Sequence, residues 1–149
     1  MSNEDINDVL SDLVLINNDR IQGYERAAHD IEDPQLADLF RNLTSLSRRF
    51  RSDLADVIVR SHGTVPDTSE TSSGSNWHRA WIDIKAFFTG KDRNAILDSC
   101  VFGEDAAIAE YEEVLKQEHL PAYIRDTLTH HLSELRQTRE QVARMREIS

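Results

Sequence analysis

Four long stretches of this 149-residue chain set their apolar side chains at steps of three and four, and each is interrupted by a polar residue near its middle. Such spacing lines up one face of an α-helix, so each stretch can bury only a stripe and must meet the others to do so. The first stripe is Ile6, Leu10, Leu13, Asn17, Ile21, Tyr24, Ala28 and Ile31. The second is Leu36, Leu39, Leu43, Ser47, Phe50, Leu54 and Val57. The third is Leu97, Val101, Glu104, Ile108, Tyr111 and Leu115, and the fourth Ile124, Leu128, His131, Leu135, Thr138, Val142 and Met145. Asn17, Ser47, Glu104 and His131 therefore interrupt four apolar faces at a common depth.

Turn chemistry places the boundaries. Asp33 and Pro34 suit an N-cap and a first helical position, and Gly63 a helix stop. The expected helices are 3–31, 34–62, 92–118 and 121–147, in one domain. Residues 63–76, GTVPDTSETSSGSN, are turn formers and hydroxyls, expected to be a mobile connector. In the segment after it, Trp77, Trp81, Ile84 and Phe88 recur at helical spacing, which predicts a short helix over 77–89. Its two tryptophans either dock the crossover on the bundle or form a dimer interface. Two short joins and one long crossover predict an all-α, ferritin-like four-helix bundle rather than a simple up-down one.

The formal charge of −10 disfavours phosphate backbones, so nucleic acid is not an expected partner. The arginine clusters 48, 49, 51 and 136, 139, 144, 146 read as solvated helix faces. No apolar run approaches the roughly 20 residues that span a bilayer, so no membrane is expected. The lone Cys100 and an acidic N-terminus without an apolar signal core lead us to expect a cytoplasmic location.

Glu104 most needs explaining, because a buried carboxylate must be paired, hydrogen-bonded, protonated or metal-bound. Di-metal bundles use a Glu from each of two helices and a Glu-x-x-His pair from each of the others. Here Asn17 stands where the second Glu belongs, the second helix offers Ser47 and Phe50, and His131 precedes Glu134 in reversed order. This set is short of anionic ligands, so no cofactor is expected. If a metal does bind, iron or manganese on Glu104, His131, Glu134 and Asn17 is the chemistry to look for. Otherwise the layer is a hydrogen-bonded polar core that also uses Tyr24 and Tyr111. On this metal-free reading Glu104→Gln should be nearly neutral or stabilising, because it removes a buried charge while keeping the shape.

A faint repeat links the two halves: Asn17, Ile21, Tyr24 and Glu25 recur in spacing as Glu104, Ile108, Tyr111 and Glu112. The stretches LVLINNDRIQGYERAA, WHRAWIDIKAFFTGKDRNAIL and CVFGEDAAIAEYEEVL cover much of the chain. On these the sequence resembles a bacterial family of ferritin-like four-helix proteins, the domain-of-unknown-function family 2383. The resemblance implies a rubrerythrin-like or ferritin-like bundle and no reaction. It also implies an acidic residue near 17 and a histidine near 139, where this chain has Asn17 and Arg139. The first functional expectation is a non-catalytic bundle, a homodimer, acting through contacts with a protein partner in bacterial physiology or stress, with Trp77 and Trp81 as anchors. The alternative is a metal-binding ferritin-like or rubrerythrin-like oxidoreductase or storage protein.

Overall fold

The computed structural model describes residues 3–72 and 93–148; the expected helix over 77–89, with Trp77 and Trp81, lies outside the described residues. Among the described residues there are four helices: α1 (Asn3–Asp30), α2 (Pro34–Arg60), α3 (Arg93–Leu115) and α4 (Ala122–Glu147). They pack as an all-helical bundle around one apolar core, with Leu10, Leu13, Phe40, Phe50, Leu54, Leu97, Leu128 and Leu135 fully or almost fully buried.

Four sets of contacts fix the arrangement. Asn7 meets Ser61 while Tyr24 stacks on Phe40, so α1 and α2 are antiparallel. Tyr111 meets His131 while Asp98 meets Arg146, so α3 and α4 are antiparallel. Tyr111 bonds Asn17 while Glu104 bonds Tyr24, which makes α3 antiparallel to α1. Asp53 bonds His131 and Ser61 bonds Tyr123, which makes α4 antiparallel to α2. It follows that α2 and α3 are parallel, and the chain between them has to return along the bundle. A 27-residue helix is about 40 Å long, so a short turn could not make that connection.

The helix ends follow local chemistry. Asp33 caps α2, its Oδ1 accepting from the N–H groups of Gln35 and Leu36 at 2.9 and 3.2 Å, with Pro34 in the first turn. The far end of α2 differs from the sequence expectation. The helix stops at Arg60, and the left-handed residue is His62 (φ 62°), one position before the glycine. The N–H of Gly63 reaches the Ile58 carbonyl and that of His62 the Val59 carbonyl, a Schellman closure. Gly63 leaves room for Asn7: a Cβ there would sit 2.6–2.9 Å from that side chain, which would have to shift. α3 ends at Leu115, three residues short of the expected limit, and Arg125 of α4 covers its end by donating to the Leu115 carbonyl at 2.9 Å.

The described part of the 63–76 loop is not a slack connector. Asn18 Nδ2 donates to the carbonyls of Asp67 and Glu70, both at 2.9 Å. Arg51 donates to Asn18 Oδ1 and to the Pro66 carbonyl, both at 2.7 Å. Asp19 accepts from the backbone N–H and the hydroxyl of Ser72. A loop with almost nothing apolar to bury is thus held by its backbone carbonyls and by Ser72. These contacts also bury Asn18 and Asp19, which the helical pattern alone leaves in solvent. Asn18→Ala removes two donors and the acceptor of Arg51, and is expected to cost about 1–3 kcal/mol. Faster amide exchange should then be confined to 64–72; unchanged exchange there would contradict the clamp.

Candidate functional site

Asn17, Ser47, Glu104 and His131 are all fully buried, and one further side chain organises them. Arg20 lies three residues beyond Asn17 on the same face of α1 and is only 1 % exposed. Its guanidinium forms an ion pair with Glu104, Nη1 on Oε2 and Nη2 on Oε1, the latter at 3.3 Å. Nε donates to Ser47 Oγ at 3.0 Å, and Ser47 in turn donates to the Leu43 carbonyl at 2.7 Å. The cation also lies 5.3 Å from the centroid of the Tyr24 ring.

Both oxygens of Glu104 are engaged by protein donors. Oε2 accepts from Arg20 and from the Tyr24 hydroxyl at 3.2 Å; Oε1 accepts from Arg20 and lies 2.9 Å from the Thr138 hydroxyl, whose single hydrogen is shared with the Leu135 carbonyl, also at 2.9 Å. Three donors, with the Thr138 hydroxyl as a shared fourth, thus approach the roughly four lone-pair sites of a carboxylate. Burial alone would lower the Arg20 pKa, but the facing Glu104 carboxylate outweighs it and holds the guanidinium firmly protonated. Cys100 lies 3.8 Å from the Tyr24 hydroxyl, and burial, reinforced by Glu104, pushes its thiol well above the usual range.

A second chain of hydrogen bonds runs from the core to the surface. Asn17 Nδ2 donates to the Leu13 carbonyl at 2.9 Å and to the Tyr111 oxygen at 3.1 Å. Tyr111 Oη lies 3.0 Å from His131 Nδ1, and His131 Nε2 lies 2.9 Å from Oδ2 of Asp53, which is 43 % exposed. With Asp53 as an acceptor at Nε2, the neutral imidazole carries its proton there and accepts a hydrogen bond from the Tyr111 hydroxyl at Nδ1. Phe50 stacks on the imidazole at 4.1 Å between centroids. The faint sequence repeat has a structural counterpart here: Asn17 meets Tyr111 and Glu104 meets Tyr24, two pairs related by exchange of α1 and α3.

Burial lowers the pKa of His131, and the hydrogen bond and charge of Asp53 only partly oppose it. A folded value below the unfolded one, about 6.5, means that the unfolded chain binds the proton more readily. The stability tied to neutral His131 is therefore complete above about pH 6.5 and is lost as pH falls through the lowered folded value. The groups facing the ring are Asp53, Tyr111, Glu134 and His130. In His131→Gln the urea midpoint should fall less between about pH 7 and pH 5 than in the parent. Parallel profiles would show that His131 is not the titrating group.

The remaining sequence candidates are placed differently. Glu134 does not join the layer; it pairs with Arg49 of α2 and lies 3.4 Å from His130. The basic clusters are not simply solvated, since Arg48 pairs with Glu25, Arg136 with Glu112, Arg139 with Asp105 and Arg146 with Asp98. A surface groove of about 750 Å³ runs along α4 beside Leu46 and Leu132; of its lining, Thr138 alone belongs to the layer.

Iron or manganese does not fit these residues. Both oxygens of Glu104 are occupied by donors, Asn17 and Ser47 are neutral, and a guanidinium already supplies the positive charge. Among the described residues no three of His, Cys, Asp and Glu come together as a metal-binding group. No helix among them is long and apolar enough to cross a membrane.

Together these features define an all-helical bundle whose buried polar layer is closed on itself by an internal ion pair. A family model, Domain of unknown function (DUF2383), matches residues 5–117, well over half of the chain, and the protein belongs to that family. No curated protein matches the chain.

Proposed function

We propose that this protein is a non-catalytic, ferritin-like bundle that works through contacts with other proteins, first of all with a second copy of itself. The ferritin-like reading is supported by the topology: every neighbouring helix pair is antiparallel, and one long connection joins two parallel helices. The non-catalytic reading is carried by one observation, the use of both Glu104 oxygens by protein donors with Arg20 as the countercharge. A carboxylate so engaged would have to give up its protein donors to take a metal or a substrate. The contact role follows from the absence of chemistry in the layer and from Trp77 and Trp81 in the sequence, the residues we assign as its anchors.

Two measurements test this reading. Protein purified under anaerobic conditions and equilibrated with iron(II) and manganese(II) should retain well under one metal per chain after desalting. Sedimentation equilibrium should give a dimer that dissociates in the Trp77→Ala, Trp81→Ala double variant without loss of helical signal. Stoichiometric metal would overturn the non-catalytic part, and a monomer at micromolar concentration the contact part.

A further inference from the structure

We infer that the layer contains a seat for a planar guanidinium cation, occupied in this chain by its own Arg20. The seat has three walls. Glu104 presents two oxygens edge-on to Nη1 and Nη2, Ser47 Oγ accepts from Nε at 3.0 Å, and the Tyr24 ring lies 5.3 Å from the central carbon. Ser47 is fixed in the accepting role because its own hydrogen is committed to Leu43. A fork of two parallel acceptors plus an aromatic face matches a guanidinium and not a spherical ion, which needs several anionic oxygens converging on one point.

The exchange-related partner of the site underlines the point. Asn17 and Tyr111 repeat the geometry of Glu104 and Tyr24. In the repeat, the place of Arg20 is taken by Ala107, which is fully buried in the apolar core. One half of the layer is thus built around a cation and the other around a neutral hydrogen-bond chain. The difference lies in the residue one turn from the acid or amide.

If the seat exists, shortening its occupant should leave it open to a free cation of the same shape. This inference rests on the metal-independent reading of the layer, but its test uses a variant, whereas that reading is tested on the parent chain. Arg20→Ala is refolded with methylguanidinium at 0 to about 20 mM, well below denaturing concentrations, and melted. The expected result is a saturable rise in Tm of about 5 °C, absent in the parent and absent with N-methylurea, which is isosteric and uncharged. If the variant is unfolded in buffer, the same titration is read as a gain of helical circular dichroism.

Adding Glu104→Gln to Arg20→Ala should abolish the response. A response that persists in the double variant, or is equal in the parent, or no response in Arg20→Ala, would overturn the seat. Stabilisation by manganese(II) but not by methylguanidinium would likewise overturn it, because the site would then be a metal site.

Discussion

Glu104→Gln is expected to destabilise the protein by about 3–5 kcal/mol, the usual loss when one member of a buried ion pair is removed. The glutamine keeps the shape but not the chemistry. Its amide nitrogen turns two hydrogens toward a position where Arg20 or Thr138 already donates, and the guanidinium keeps its charge without a counterion at 1 % exposure. The metal-free reading of the sequence, made without Arg20, gives the opposite expectation, a nearly neutral or stabilising change; Arg20 reverses the sign. Urea denaturation of the variant at neutral pH checks the prediction, and a change within about 0.5 kcal/mol would contradict it. The exposed pairs, such as Arg48 with Glu25, should each contribute far less.

Phe50→Ala should have a comparable effect for a different reason. The ring is fully buried, stacks on His131 at 4.1 Å and lies 6.3 Å from the Tyr111 ring. Truncating a buried phenylalanine costs about 3–5 kcal/mol through lost burial and the cavity left behind. The cavity here would open against an imidazole whose pKa is lowered chiefly by burial. Water entering it should let the His131 pKa rise toward its ordinary value. Proton NMR of the imidazole C–H resonances through a pH titration reads both the shift and its direction. A large stability loss with an unmoved His131 midpoint would mean that the cavity collapses instead of hydrating.

Periodicity carried the all-helical bundle, because a stripe of apolar residues is a local property of each helix. That α2 and α3 run parallel was legible from the lengths of the joins, two short and one long. The layer was only partly legible. Asn17, Ser47, Glu104 and His131 stand out as breaks in apolar stripes, and all four are buried. Arg20 does not stand out, since it adjoins Ile21 and either residue can continue the face from Asn17 to Tyr24. Choosing the apolar neighbour is the natural error, and in the structure Ile21 is the more exposed of the two. The signal that could have found Arg20 was the charge of Glu104 itself, which requires a cation on a facing helix.

Asp53 was hidden in the same way, as a half-exposed acid on α2 whose importance depends on an imidazole 78 positions away. Glu134 was drawn toward the layer by its spacing from His131, but a three-residue step along α4 brings it to Arg49 instead. The clamp on 66–72 leaves little mark on composition, because Asn18, Arg51 and Asp19 reach mostly backbone groups of the loop.

The central claim, that Arg20 and Glu104 neutralise one another in the core, is tested most directly by a double-mutant cycle with Arg20→Met and Glu104→Leu. The two buried charges should couple by more than about 2 kcal/mol, with the double variant more stable than either single one. Additivity within about 0.5 kcal/mol would show that the two groups do not hold each other, and would contradict the account.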